Sequence, residues 1–236
     1  MLFDQHLSGS QLPEKTICLT FDDGPGPQTR ELGRYLYDNC VPATFFVIGQ
    51  AAAEQLDLLR QLRDWGHTIG NHTWSHPGLV DLALAGGDVV AEVARADALI
   101  RDLESPPYLL RPPYGSWQSE SEGVHVAQLL RDSGLFNDYV GPIMWDIVGE
   151  DWVYWEQGRS IQQCLHRHVD EIEGIGKGIL LLHDSSENPD LRAENRAFEL
   201  MTQLVPVLRS RGFQFATVKD AVAEYLSQQL LPAAAQ

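Results

Sequence analysis

Asp22 and Asp23 stand side by side at the end of an apolar run, directly before Gly24-Pro25. Adjacent carboxylates repel unless a positive group holds at least one of them, so the pair calls for a nearby cation. With a metal on one carboxylate, the other stays free to take a proton. The competing account is ordinary loop chemistry, in which Asp before Gly-Pro merely caps a turn. His72 and His76 are four residues apart, a spacing that on one helical turn puts both imidazoles on the same face. Joined to Asp23 they make a two-histidine, one-carboxylate set that leaves coordination positions open, the way catalytic zinc is held. Two polar loop histidines are the alternative. Arg111 precedes Pro112-Pro113, which fix the backbone, so its guanidinium can be aimed at a carboxylate with little entropy to lose. Asp22 is the natural recipient, against the plainer reading of a surface arginine beside a rigid turn.

Such residues work only if the chain's elements bring them together. Lys15 to Phe21 alternates Ile17, Leu19 and Phe21 with Thr16, Cys18 and Thr20, a strand pattern, and Leu32, Tyr35 and Leu36 follow at helical spacing. The theme recurs. Ala43 to Ile48 reads as a strand, and Leu56, Leu59 and Leu62 mark a helix ended by Gly66. Val89, Val93, Ala96, Ile100 and Leu103 mark a helix stopped by Pro106-Pro107, and Tyr108 to Arg111 a short strand. Val126, Leu129 and Leu130 predict a helix up to Gly134, Ile143 to Trp145 a strand, and Asp146 to Trp152 its loop. Ile161, Leu165, Val169 and Ile172 form another helical face before the unbroken apolar strand Ile179 to Leu182, which ends on His183-Asp184. Phe198, Met201, Leu204, Val205 and Leu208 line a helix closed by Gly212. Phe213 to Val218, with Ala221 to Leu231, finishes the chain. Alternating strands and helices predict a largely parallel sheet, and every chemically loaded residue falls just after a strand. In a barrel or a doubly wound sheet those positions meet at the carboxyl ends of the strands.

At 236 residues with 44% hydrophobic side chains, the chain has the material for one α/β domain spanning 1–236 with a full core. Its 17 basic against 33 acidic residues give a net charge of −16, a surface that repels phosphate backbones and anionic lipid. Neither nucleic acid nor a membrane is an expected partner. Cys18, Cys40 and Cys164 form no CxxC and indicate no disulfide framework. Met1 to His6 lacks the basic segment and apolar run of a secretory leader. As written the chain therefore reads as cytoplasmic, or as extracellular if a leader has been trimmed.

Taken together, the motifs resemble those of the polysaccharide deacetylases, the NodB-homology domains of carbohydrate esterase family 4. They occur in family order as Thr20-Phe21-Asp22-Asp23-Gly24-Pro25, His72-Thr73-Trp74-Ser75-His76-Pro77, Arg111-Pro112-Pro113-Tyr114-Gly115, Asp151-Trp152 and Leu180-Leu181-Leu182-His183-Asp184. The likeness spans roughly residues 15 to 220. It implies a single-domain distorted (β/α) barrel and a divalent metal held by Asp23, His72 and His76, zinc first, with cobalt, nickel or manganese as alternatives. It implies Asp22 as general base steadied by Arg111, and His183 as general acid tuned by Asp151. The Tyr114 backbone N–H would help stabilise an oxyanion, while Trp152 and Leu181 would wall a pocket for an acetyl methyl. The implied reaction removes acetyl groups from an N-acetylated glycan or oligosaccharide of chitin or peptidoglycan type. Hydrolysis of an acetamide needs an activated water, charge stabilisation at the carbonyl oxygen and a proton for the departing amine, and these residue types supply each.

The alternatives are a hydrolase of a small amide or acetyl ester built on the same site, and a sugar-binding relative without turnover. One position departs from the pattern. The family commonly carries an acidic residue three positions before the Asp-Trp pair, and Val148 stands there, with Asp146 and Glu150 as candidate substitutes. His6, His67, His125, His166 and His168 match no motif and read as structural or surface residues. Trp145, Tyr154 and Trp155 could stack on sugar rings, although aromatics beside a strand end are more often core.

Overall fold

The computed structural model describes residues 1–230. In chain order its elements are β1 (Leu2–Leu7), β2 (Thr16–Asp22), α1 (Thr29–Asp38), β3 (Ala43–Val47), α2 (Gly49–Ala53), α3 (Leu56–Asp64), β4 (Thr68–Asn71), α4 (Leu79–Leu84), α5 (Val89–Ile100) and β5 (Tyr108–Leu109). There follow β6 (Gln118–Ser119), β7 (Val124–His125), α6 (Val126–Asp132), β8 (Tyr139–Ile143), α7 (Asp151–Glu156), α8 (Ile161–Ile175), β9 (Gly178–His183), α9 (Ala197–Ser210), β10 (Gln214–Phe215) and α10 (Val218–Leu230).

Strand β2 is buried along almost its whole length, because its apolar residues face helices on one side and the barrel interior on the other. It pairs in parallel with β3 on one flank and β9 on the other, and β4 extends the sheet beyond β3. The register sets Phe21 level with Phe45 and with Leu182, and one step further it sets Asp22 beside His183. Two residues 161 positions apart in sequence thus emerge together at the carboxyl ends of neighbouring strands. A second sheet runs β1-β8-β5, also parallel. Two single-residue bridges, Asn71 with Leu110 and Ile147 with Leu180, join it to the first and close a distorted α/β barrel.

The outer helices cover this ring with their apolar stripes. Leu32 and Leu36 of α1, Leu59 and Leu62 of α3, Leu165 and Ile172 of α8, and Leu204 and Leu208 of α9 are buried against Ile17, Leu19 and Phe21. Each such side chain contributes about 1.5–3 kcal/mol by leaving water. Phe21 and Phe45 stack with ring centroids 5.2 Å apart. Helix α8 starts from a full capping box, Ser160 with Gln163, and stops at Gly176, whose φ of 86° suits glycine.

The structure departs from the sequence expectations in several places. Strand β1 was not anticipated, since only Leu2 and Leu7 at its ends are buried and the stretch between them does not alternate. The strand expected at Ile143 to Trp145 instead occupies Tyr139–Ile143. Pro142 disguises it, because proline cannot donate a ladder hydrogen bond. Helices α2 and α4 and the antiparallel pair β6–β7 are short additions between the expected elements. The closing stretch is helical from Val218, and Leu231 lies outside the described residues. No helix among the described residues is long and apolar enough to cross a membrane.

Candidate active site

The loop after β2 is shaped by what lies beneath it. Asp23 adopts a left-handed φ of 72°, a conformation that aspartate tolerates better than most residues. A Cβ on Gly24 would come within 2.2 Å of the Asp184 carboxylate, so only glycine fits there. Asp184 is buried and accepts a hydrogen bond from the Thr29 hydroxyl. Burial pushes its carboxyl up to about 7, with Asp23 and Asp22 adding to the effect against the Thr29 hydrogen bond. Gly24→Ala is therefore expected to cost about 1–3 kcal/mol through overpacking, a fall of several degrees in Tm. Gly174→Ala, whose Cβ would meet nothing within 4 Å, serves as the control in the same melting experiment.

Arg111 is fully buried beneath the site. Its Nη1 donates to Oδ1 of Asp22 at 2.7 Å and to the Thr20 hydroxyl at 2.7 Å. Its Nε and Nη2 donate to the carbonyls of Ile143 and Met144 at 3.1 and 3.2 Å. The guanidinium plane also covers Phe46 at 4.2 Å. These bonds hold one oxygen of Asp22 and leave the other, Oδ2, toward His72, 3.7 Å from its Nε2.

His72 and His76 are not on a helical turn. The segment after β4 is an irregular loop, with Thr73 and His76 at φ 67° and 65°. Local side chains outcompete helix formation here, since Asn71 Oδ1 accepts the Thr73 N–H and Thr73 Oγ1 accepts that of His76. Pro77 also disfavours a right-handed helical residue before it. Glu92 of α5 accepts the Trp74 and Ser75 N–H groups and pins the loop from outside.

The two imidazoles nevertheless converge. Each gives its Nδ1–H away, His72 to the Arg111 carbonyl at 2.8 Å and His76 to the Glu187 carboxylate at 2.7 Å. Their Nε2 atoms, left with lone pairs, are 3.2 Å apart. Asp23 Oδ1 is 3.1 Å from Nε2 of His76 and 3.6 Å from that of His72. It is buried and accepts no well-formed hydrogen bond. Three acceptor atoms facing one another with no proton among them leave a place for a cation. A tetrahedral ion with bonds of about 2.0–2.2 Å would hold its ligand atoms about 3.3–3.6 Å apart, so the residues present fit a divalent metal.

Asp151 at the start of α7 twice grips His183, the neighbour of Asp22 at the end of β9. Its Oδ1 accepts the ring Nδ1–H at 2.9 Å and its Oδ2 the backbone N–H at 2.9 Å, which leaves Nε2 for the cavity. Burial alone would lower the His183 imidazole; the Asp151 charge and hydrogen bond, with Asp23 and Asp22 further off, push it up to about 9. Glu171 of α8 accepts the N–H groups of Val148 and Gly149 and so fixes the loop that delivers Asp151. Neither candidate for the acid missing at Val148 faces the cavity. Asp146 accepts the N–H groups of Gly9 and Ile179, and Glu150 is exposed. The carboxylate on that side is Glu156 at the end of α7.

Asp22, Asp23, His72, His76 and His183 open on one cavity of about 570 Å³. Leu181 and His183 form its floor with the metal-fitting cluster. Trp152 stands at the rim, 39% exposed, edge-on to His183 at 4.9 Å. Tyr114, 65% exposed and at φ 57°, stands at the rim beside His76. Trp145 and Trp155 line the cavity, whereas Tyr154 packs against the core. His67 and His168 are buried with one ring nitrogen each on a backbone carbonyl. Glu187 and Asn195 also line the cavity, and sequence reasoning missed both. They sit in a polar loop, where one acidic or amide residue looks like any other.

A carboxylate held by arginine, a histidine held by aspartate and a metal-fitting cluster on one cavity at the carboxyl ends of a parallel α/β barrel make up the arrangement that a metal-assisted hydrolase needs. Residues 9–131 match the family model described as polysaccharide deacetylase. The chain belongs to that family, whose members hydrolyse carbon–nitrogen bonds other than peptide bonds and typically depend on a divalent metal. It is 32% identical over 217 residues to a chitooligosaccharide deacetylase of Sinorhizobium fredii, a match covering 87% of this chain and 90% of that one. It is 29% identical over 215 residues to the peptidoglycan-N-acetylglucosamine deacetylase PgdA of Listeria monocytogenes, covering 90% of this chain and 40% of that longer protein. The crystal structure of the Bc1960 peptidoglycan N-acetylglucosamine deacetylase superposes with a TM-score of 0.73 over 93% of this chain and 92% of that one. At 22% identity that last likeness is one of fold.

Proposed function

We propose that the chain works as one catalytic domain that hydrolyses the N-acetyl group of a neutral amino-sugar oligosaccharide of chitin type, with zinc on Asp23, His72 and His76. The observation that carries this reading is that Asp22, paired with Arg111, and His183, paired with Asp151, stand side by side on neighbouring strand ends and line one cavity with the Asp23–His72–His76 cluster. When bound, a divalent cation supplies Lewis-acid charge to the acetamide oxygen and to the attacking water. Asp22 Oδ2 takes a proton from that water, and Arg111 keeps the carboxylate aimed. His183 gives its Nε2 proton to the departing nitrogen as the carbon–nitrogen bond breaks, so acetate and a free amine leave. The Tyr114 backbone N–H is the proposed second donor to the developing oxyanion. Trp152 and Leu181 supply the apolar wall for the methyl group, and exposed Trp152 and Tyr114 offer ring faces to a sugar.

The charge of the cavity chooses among glycans. Arg111 offsets Asp22 and a bound cation would offset Asp23, which leaves Glu156 and Glu187 in the lining, and no lysine or arginine lines the cavity among the described residues. Carboxylates carried by peptidoglycan would meet like charge there, whereas a neutral chitin oligomer, or one already bearing free amines, would not. This agrees with the similarity to the chitooligosaccharide deacetylase. The test is acetate release from chitin oligosaccharides and from peptidoglycan fragments by zinc-loaded protein. Turnover is expected on the first, much less on the second, and none after chelation until zinc is restored. Activity on neither substrate would sink the reading, and equal activity on both would sink the preference.

A further inference from the structure

The two imidazoles of the Asp23–His72–His76 cluster are secured in different ways. His72 follows directly on β4, is buried, and gives its Nδ1–H to a backbone carbonyl that the Asn71–Leu110 bridge holds in place. His76 lies four residues out on a loop with left-handed backbone, where no regular element fixes its ring. What fixes it is Glu187, on the loop between β9 and α9, whose Oε2 accepts from Nδ1 at 2.7 Å. The same Oε2 accepts the Tyr114 hydroxyl at 2.6 Å, and that hydroxyl lies 3.2 Å from Nδ1. Tyr114 meets the His76 ring edge-on, with centroids 4.7 Å apart. Three loops that are distant in sequence thus meet on one carboxylate oxygen.

A carboxylate accepts and never donates when ionised, so it commits His76 to carrying its hydrogen on Nδ1 and presenting Nε2 as a lone pair. It also places a negative charge one ring away from the Nε2 that would bind an ion, which makes that nitrogen a better donor to a dication. Partners of this kind, behind a metal-bound histidine, typically change metal affinity 10- to 100-fold when removed. From this geometry we propose that Glu187 is a positioning residue for the metal centre, holding His76 in its ligating orientation, with Tyr114 steadying Glu187 in turn. The inference rests on Asp23, His72 and His76 being the ligands. It assigns a role to a residue outside all five motifs.

The test reads metal uptake rather than turnover. Wild-type protein, Glu187→Ala, Glu187→Gln, Tyr114→Phe and His76→Ala are stripped of metal and titrated with Zn²⁺ against a chromophoric chelator, and each stripped protein is melted alongside. Glu187→Ala is expected to bind Zn²⁺ about 10- to 100-fold more weakly, with an unchanged Tm in the stripped state. Glu187→Gln, which keeps an accepting oxygen but loses the charge, should fall between the two, and Tyr114→Phe should show a smaller loss. His76→Ala should lose tight binding altogether. If Glu187→Ala and Glu187→Gln titrate like wild type while His76→Ala does not, the role of Glu187 is refuted and the ligand set stands. If wild type itself fails to bind, the ligand set falls and this inference falls with it.

Discussion

Asp22→Asn is expected to lower kcat about 10²- to 10⁴-fold while zinc content stays close to wild type and Tm falls only modestly. Asparagine keeps an oxygen at the position where Arg111 Nη1 donates at 2.7 Å, so the buried guanidinium retains a partner. It cannot take a proton from water, and it also removes the charge that balances Arg111, so some stability goes with the turnover. Asp22→Ala makes the informative contrast. It leaves Arg111, fully buried, with neither the charge nor an accepting oxygen from position 22, and breaking a buried pair in this way costs about 3–5 kcal/mol. The alanine variant should therefore lose Tm as well as turnover. Rates on a chitin oligosaccharide, metal analysis and calorimetric melting of the two variants separate these effects. An asparagine variant with wild-type kcat would remove Asp22 from the chemistry.

The second large effect is expected from Asp151→Asn, and it concerns pH. His183 is pushed up to about 9 against the lowering effect of burial, with Asp151 the strongest of the groups that raise it. A group with a raised value stays protonated through neutral pH, so in wild type the acid is available up to the alkaline side and is lost as pH passes about 9. Without the Asp151 charge, burial meets less opposition and the imidazole gives up its proton at lower pH. The alkaline limb of the kcat profile should move toward neutrality; at pH 8 turnover should fall about twofold when the limb has moved one unit and about tenfold for each further unit. The same linkage acts on the fold. The pair stabilises fully below about 6.5, the ordinary histidine value, and its contribution fades as pH rises through about 9. His183→Ala should lose about 10²- to 10⁴-fold at every pH below about 9. A kcat profile for Asp151→Asn with its limb unmoved would remove Asp151 as the tuning group.

Much of this architecture was legible because its strands and helices carry strong periodic signals. Ile17, Leu19 and Phe21, or Ile179 to Leu182, can hardly be anything but buried strand, and the chemical residues follow those runs directly. What the spacing could not convey was local conformation. The interval between His72 and His76 suggests a helix, yet hydrogen bonds from Asn71 and Thr73, with Pro77, shape a loop that reaches the same convergence by another route. Strand β1 has too few buried residues to show a period, and Pro142 argues against the strand that contains it. Glu187 was invisible for a different reason. Its significance lies wholly in contacts with His76 and Tyr114, 111 and 73 positions away, and nothing in its neighbourhood distinguishes it from a solvated loop acid.

The ring is stitched by ladders almost everywhere, but at Asn71–Leu110 and Ile147–Leu180 one residue on each side makes the join. These thin joins divide the barrel into two arcs. Asp22, Asp23, His72 and His183 all belong to the five-stranded arc, while Arg111 and Tyr114 arrive from the three-stranded one. Breathing at the joins would draw the guanidinium and the tyrosine rim away from Asp23, His72 and His76, which share the other arc, and would loosen the hold of the Arg111 carbonyl on His72. On gentle warming, catalysis should therefore fade while the ion is still retained, and a substrate spanning both arcs would act as the clasp that draws them together.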